Sequence, residues 1–449
     1  MNRPFLVATV TVAATLAASG ATATIPWPSQ SLSLNDCLSI ALEHSPAILK
    51  GKQDIEESQG IVLQQKSVYL PKITASGAVN KVDPGKLESF PGTGQSFSSQ
   101  NSWNAGISVI QPIYAGGKLI SSERQSKFTR DAALANYQAL VADTLLNIRI
   151  AYDDTLLAVE QITVQEASVK LLEQELADNK RRFDAGTVPR FNVLRAEVEL
   201  ANSRPKLIKA RNSHRIAKNN LATLLGYNVP KDVPEDIPLT LSDKLKAEPY
   251  TAQLSDSIGK ALQHRYELDA LRASQKSSHE DVIQAKSGYY PTLSGVGGWG
   301  WQNRIFDPNN DLSHEIGGWN VGAQLSWNVF DFGLTKGKVK SAAAREERAR
   351  IDTEDTQRKI EQEVRTSFSN LIEAKETLES QTKVIEEAEE SLRLANARAD
   401  AGTGTQLDVL SAQTALTESR TTYSQALHDY SVARARFERA IGEGVTLKK

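Results

Sequence analysis

The chain has one cysteine, Cys37, which excludes an intrachain disulfide and any cysteine-built metal site. Its six histidines (His44, His214, His264, His279, His314 and His428) fall at no ligand spacing. A nucleophile elbow, a phosphate loop and a metalloprotease signature are all missing. The residues therefore offer no catalytic group, no cofactor site and no metal site. An excess of charge is missing too: the formal net charge is −2, so no nucleic-acid partner is expected. Mean hydropathy is −0.37. Past the N-terminus no apolar run reaches the roughly 18 residues that a membrane helix needs.

What is present begins with an export signal over residues 1–23. It has Arg3, an apolar run from Phe5 to Ala18, and small residues ending Ala21-Thr22-Ala23. Cleavage there leaves Thr24 as the mature start. Cys37 lies well inside the mature chain, so lipidation is not expected.

The organising feature is a repeat. Asp184-Ala185-Gly186-Thr187 returns 216 residues later as Asp400-Ala401-Gly402-Thr403. The match continues through Ala196/Ala412, Leu200/Leu416, Ser203-Arg204/Ser419-Arg420 and Gly226/Gly442. Glycine closing one helix and threonine opening the next predict the tip of a helical hairpin in each copy. Upstream, Asp36, Ala41-Leu42 and His44 match Asp256, Ala261-Leu262 and His264 at an offset of 220. The plan is thus a signal at 1–23, repeats at 24–226 and 251–442, a Pro-rich linker at 227–250 and a tail at 443–449. Pro205 has no counterpart at Thr421 and should bend its helix. The linker and short helices should form a belt around the middle of the molecule.

After Pro71 and Pro291 the hydrophobic period changes from helical to two. Ile73, Ala75, Gly77 and Val79, then Trp103, Ala105, Ile107 and Val109, predict one hairpin. Leu293, Gly295, Gly297, Trp299 and Trp301, then Trp319, Val321, Ala323, Leu325 and Trp327, predict another. Turn residues (Asp83-Pro84-Gly85, Pro91-Gly92; Asp307-Pro308-Asn309-Asn310) separate the strands of each. The tryptophans fit two readings. One is cross-strand packing in a sandwich. The other is a membrane barrel with Trp103, Trp299, Trp301, Trp319 and Trp327 facing lipid. On the second reading several chains must share one sheet, because an open edge cannot stand in lipid.

Each hairpin leads through glycine (Gly116-Gly117; Gly333) into a long helix. Val364, Leu371, Leu378, Ile385 and Leu392 repeat every seven residues, as do Ile148, Thr155, Ile162, Val169 and Leu176. Narrow apolar seams with water on two sides suit the wall of a hollow tube or a solvated coiled-coil rod. The long helix of about 65 residues spans roughly 98 Å, and the two short ones end to end span roughly 95 Å. That is what a wall of constant height requires.

Taken in order, these motifs resemble the TolC-type outer-membrane channel family. The resemblance rests on Leu34…Ala41-Leu42-Glu43-His44-Ser45-Pro46, Tyr69-Leu70-Pro71, Gln111-Pro112-Ile113-Tyr114-Ala115-Gly116-Gly117, and the two tips with Asp408-Val409-Leu410. It implies a mainly α chain whose antiparallel helical hairpins form an α-barrel. Four strands per chain would close a twelve-stranded β-barrel in a homotrimer. It also implies an outer-membrane location reaching into the periplasm, and a conduit for efflux or type I secretion. The partners implied are a periplasmic adaptor and an inner-membrane transporter, with no enzymatic role. Adaptor docking falls on Asp184, Gly186, Thr187, Asp400, Gly402 and Thr403. The family's two acidic constriction positions fall on Asp408 and Ser411, so the second acid is absent. The residues alone also allow Asp408 to act only on the helix dipole. A soluble periplasmic coiled-coil scaffold is the alternative for the whole chain.

Overall fold

The computed structural model describes residues 27–28, 30–86, 101–228, 236–303 and 315–443. The expected export signal, Pro91-Gly92, Asp307-Pro308-Asn309-Asn310, linker residues Pro230 and Pro234, and the tail beyond 443 lie outside the described residues.

The first repeat runs α1 (Leu34–His44), α2 (Pro46–Ser67), β1 (Lys72–Lys81), β2 (Asn101–Ala115), α3 (Lys118–Asp184) and α4 (Arg190–Leu225). The second runs α5 (Leu254–His264), α6 (Tyr266–Lys286), β3 (Thr292–Asn303), β4 (Glu315–Ser326), α7 (Leu334–Asp400) and α8 (Gln406–Ala440). Local chemistry sets these boundaries. Ser33 caps α1 in a reciprocal box with Asp36, and Pro46 sits in the first turn of α2. Gly117 and Gly333 take left-handed φ values of 85° and 90° just before α3 and α7. Helix α4 continues through Pro205 to Leu225.

Helices α3 and α7 have 67 residues each, a length of about 100 Å. The short helices stack end to end beside them. Gly226, at φ 87°, ends α4 against the His44 carbonyl and the ring of Pro46, and a Cβ at Gly226 would strike that carbonyl. In the second repeat Gly442 ends its helix in the same way, and a Cβ there would lie 3.0 Å from the Cβ of His264. Glycine is required at both joints by conformation and by space.

Two cores lie at these joints. One gathers Cys37, Leu38 and Ala41 of α1, Ile148 and Tyr152 of α3, Leu221 and Leu225 of α4, and Ile237 and Leu239 of the linker. The other gathers Ala261, Leu268, Ile360, Val364, Tyr430, Phe437 and Ile441. Toward the hairpin tips the seven-residue seam is only half-buried, at Ile162, Val169 and Leu176 and again at Leu378, Ile385 and Leu392. A helix wet on two faces gives this pattern. Thr155, the polar member of the seam, is fully buried and donates its hydroxyl 2.8 Å to the Ala151 carbonyl.

Helix α3 packs on α2 and α4 of its own repeat and on α6 and α8 of the other. The α3–α8 seam joining the repeats is ionic. Arg149 meets Glu438 at 2.7 Å, Asp143 meets Arg439 at 2.7 Å, and Asp154 meets His428 at 2.8 Å. Helix α7 packs on α5, α6 and α8, all from its own repeat.

The strands form one antiparallel sheet in the order β1-β2-β3-β4. Ile73 opposes Val109 in the first hairpin and Leu293 opposes Leu325 in the second, so the two hairpins share one internal register. Ile107 opposes Trp299 where the repeats meet.

Candidate functional site: the hairpin tips and the apolar face of the sheet

At each tip the helix closes with two backbone bonds. Gly186 N donates to the Phe183 carbonyl (2.8 Å) and Thr187 N to the Arg182 carbonyl (2.9 Å). Gly402 donates to Ala399 (3.1 Å) and Thr403 to Arg398 (3.0 Å). This is the Schellman closure, which needs a left-handed residue, and Gly186 and Gly402 have φ of 73° and 72°. A Cβ on either glycine would meet open space, so conformation alone selects glycine here. The threonines differ from the sequence expectation. They do not open the next helix. The Thr187 hydroxyl turns back to the Arg182 carbonyl (2.8 Å) and that of Thr403 to Arg398 (3.3 Å). Pro189 precedes α4, and Thr405 caps α8.

Asp184, Gly186, Thr187, Asp400, Gly402 and Thr403 are all exposed, and the two tips lie side by side. Arg182 reaches Asp400 across them at 3.4 Å.

Asp408 holds the third position of α8 and completes a capping box. Its carboxylate accepts from Thr405 N at 2.9 Å and from the Thr405 hydroxyl at 2.8 Å. These bonds hold the Asp408 carboxyl below its usual range, so it is ionised at neutral pH. Asn192, at the matching place in α4, has no such box, since Pro189 offers no side-chain cap. Asp408 and Ser411 line one groove of about 760 Å³ between α7 and α8, with Glu387, Glu390 and Arg398 on its other wall. The structure therefore gives Asp408 a capping role, and also sets it in an acidic groove.

Opposed residues on paired strands share a face, so the register fixes the faces of the sheet. One face carries Ile73, Val79, Trp103, Ile107, Val109, Leu293, Trp299, Trp301, Trp319, Val321 and Leu325. The other is mostly polar, with Thr74, Ser76, Asn80, Asn104, Ser108, Ser294, Gln302, Asn320 and Gln324, and has Ile110, Val296 and Ile316 as its apolar members. Trp299 and Trp319 oppose each other directly, and Trp319 is 78% exposed. Trp103 and Trp301 sit two residues from the loop ends of β2 and β3. Trp327 departs from the expected strand position. It lies one residue beyond β4, where its indole N–H donates 3.1 Å to the Tyr289 carbonyl.

The sequence reading missed why three positions of the polar face, Gly106, Gly298 and Gly300, are glycine. A Cβ on Gly300 would sit 2.9 Å from the Ala105 carbonyl oxygen, and one on Gly106 would sit 3.0 Å from the Gly300 Cα. The backbones meet closely there, as in a strongly bent sheet whose polar face is the concave one.

An apolar convex face, a polar concave face and long helices wet on both sides belong together in one kind of molecule. The family model described as outer membrane efflux protein matches residues 37–227 and 257–443. The chain belongs to the outer membrane efflux protein family. It is accordingly a channel protein of the outer membrane, with its helices extending into the periplasm. The chain is 25% identical over 406 residues to the outer membrane protein TolC of Vibrio cholerae, covering 90% of this chain and 89% of that one. It is 23% identical over 414 residues to the alkaline protease secretion protein AprF of Pseudomonas aeruginosa, covering 90% and 83%. Among solved structures, the Campylobacter jejuni CmeC outer membrane channel superposes with a TM-score of 0.79 at 17% identity, covering 95% of this chain and 92% of that one. The outer-membrane channel OprN gives 0.76 at 20% identity, with coverage of 92% and 90%.

Proposed function

We propose that three copies of this chain close into one conduit across the outer membrane and periplasm, and that this conduit exports substrates for efflux or secretion. The observation that carries the reading is the sheet. Its apolar face suits lipid, yet among the described residues β1 and β4 are both edge strands. Unpaired backbone groups cost several kcal/mol each in hydrocarbon, so the edges must be paired by other copies. The helices support the same closure. Helix α4 exposes Phe191, Leu194, Val198, Ile208 and Ile216, and α7 exposes Ile351, Ile372, Val384 and Leu394. These apolar residues lie on helices at opposite ends of the wall.

In this reading residues 24–226 and 251–442 are the two repeats, and 227–250 belongs to an equatorial belt. Trp103, Trp299, Trp301, Trp319 and Trp327 form the lipid band. The tips at Asp184-Ala185-Gly186-Thr187 and Asp400-Ala401-Gly402-Thr403 meet a periplasmic adaptor that serves an inner-membrane transporter. Asp408 becomes a ring of three carboxylates at the periplasmic entrance, with Ser411 beside it, and the ring favours cations. The protein carries out no chemistry of its own.

The test is reconstitution of the detergent-extracted protein in a planar bilayer. Discrete, cation-preferring current steps are expected. A preparation that is soluble without detergent and carries no current would replace the channel with a periplasmic scaffold.

A further inference from the structure

The two repeats differ at one backbone position. Gly116, before α3, has φ 59°; its counterpart before α7 is Phe332, at φ 53°, the one non-glycine with positive φ among the described residues. A left-handed phenylalanine is strained. Asp331 holds it there. Its carboxylate accepts from Gly333 N at 3.1 Å and from Thr335 N at 2.8 Å, tying the residue before Phe332 to the start of α7 after it. Ala115, at the matching place in the first repeat, has no carboxylate to do this. The Phe332 ring is 91% exposed and stacks edge-on against Phe330, with centroids 4.6 Å apart. Conformation and clamp thus hold an apolar side chain out of its own chain.

Repeat symmetry shows what lies opposite. Gly116 packs on the turn that leads into the next strand, where a Cβ would come within 2.8 Å of the Ser287 carbonyl oxygen and of the Tyr290 Cβ. That turn corresponds to Ser67 and Leu70 in the first repeat. In a closed ring, the turn after β4 faces the α2–β1 turn of the next copy. Leu70 and Ile73 are exposed there, at the same height as Val329, Phe330 and Phe332. A Cβ at Phe332 would strike a turn packed as closely as the one against Gly116. The seam between copies must therefore be wider than the seam between repeats.

We infer that Phe332 is an inter-subunit wedge, its ring filling the gap against the Leu70 turn of a second copy at the junction of barrel and tunnel. This rests on the trimeric reading. It adds that the contacts between copies differ from those within a copy, so that a chain end is matched to a second chain rather than to its own repeat.

The test uses paired cysteines in the full chain, in outer membranes, with Cys37→Ser to remove background. The pair Phe332→Cys with Leu70→Cys should give oxidant-dependent covalent dimers and trimers. The control pair is Ala323→Cys with Val79→Cys, which should oppose each other across the free edges if the Ile107–Trp299 register is repeated between copies. Cross-linking of the control alone overturns the wedge and leaves the trimer standing. Failure of both pairs overturns the trimer and the wedge with it. A nitroxide attached to the single Phe332→Cys variant and strongly broadened by lipid-dissolved oxygen would place the ring in lipid and also overturn the wedge. As a second arm, Phe332→Gly should lower the temperature at which trimers dissociate in detergent, and Phe332→Leu should restore most of it. An unchanged or raised temperature in Phe332→Gly would mean that the ring holds nothing.

Discussion

His428 of α8 and Asp154 of α3 meet at 2.8 Å, joining the second repeat to the first near the middle of the wall. The other ring nitrogen of His428 lies 3.0 Å from Asp429. Burial alone would lower the histidine's pKa, but hydrogen bonds to the two carboxylates outweigh it and raise the value. Nearby Asp153, bonded to Ser431 at 2.6 Å, has a pKa raised by burial. With its pKa raised in the fold, His428 contributes fully below its unfolded value of about 6.5. The contribution is lost as pH rises through the higher folded value. The thermal stability of the folded protein should therefore fall between mildly acidic and mildly alkaline pH. His428→Gln should remove that step, at a cost in acid of at most about 1 kcal/mol. Identical pH profiles for mutant and parent in differential scanning calorimetry would contradict this.

The capping role of Asp408 and its proposed pore role can be separated by substitution. Asp408→Asn keeps an acceptor for Thr405 N and removes the charge. It should weaken block by multivalent cations and leave the melting temperature nearly unchanged. Thr405→Ala removes the cap itself and should cost about 0.5–2 kcal/mol of stability with block unaltered. Planar-bilayer recordings with a cobalt or lanthanide titration read the first, and thermal melts read the second. Unaltered block in Asp408→Asn would remove the carboxylate from the conduction path.

The bend in the sheet gives a paired prediction. A Cβ at Gly300 meets the Ala105 carbonyl at 2.9 Å, whereas one at Gly318 meets nothing within 4 Å. Gly300→Val should cost about 1–3 kcal/mol or more by overpacking, lowering the yield of assembled protein on native gels. Gly318→Val should assemble normally. Equal yields for the two variants would rule out close backbone approach as the reason for glycine.

At the tips, Gly402→Val should strain the closure by about 1–2 kcal/mol, the cost of a left-handed turn for a residue with a Cβ. The site is open and far from both cores, so trimers should survive while export fails through loss of adaptor binding. Normal adaptor capture and normal export in this variant would assign the docking role elsewhere.

Much of this architecture was legible because it repeats and is local. A period of two gave the apolar face from Ile73 to Leu325, and a period of seven gave the seams, since each is set by backbone geometry alone. The tips were legible as turns through Gly186 and Gly402. Their threonines were not, because a hydroxyl can bond forward as an N-cap or backward to a helix end, and residue type does not distinguish the two. Nor was the capping box at Asp408, which depends on Thr405 lying three residues before it, a spacing also met by chance. Trp327 looked like a strand residue because it keeps the alternation. The structure instead puts its indole on the Tyr289 carbonyl, where Gln111 donates to Tyr69 at 2.8 Å in the first repeat. Phe332 stood in plain view as a departure from glycine, but its meaning required the φ angle.

The most direct measurement of the central claim is the protein mass of the particle extracted from outer membranes, by light scattering with the detergent contribution subtracted. The account predicts three chains per particle, joined in a ring in which each β4 closes on a neighbour's β1 and no edge stands open in lipid. A stable monomer that needs no detergent would contradict it.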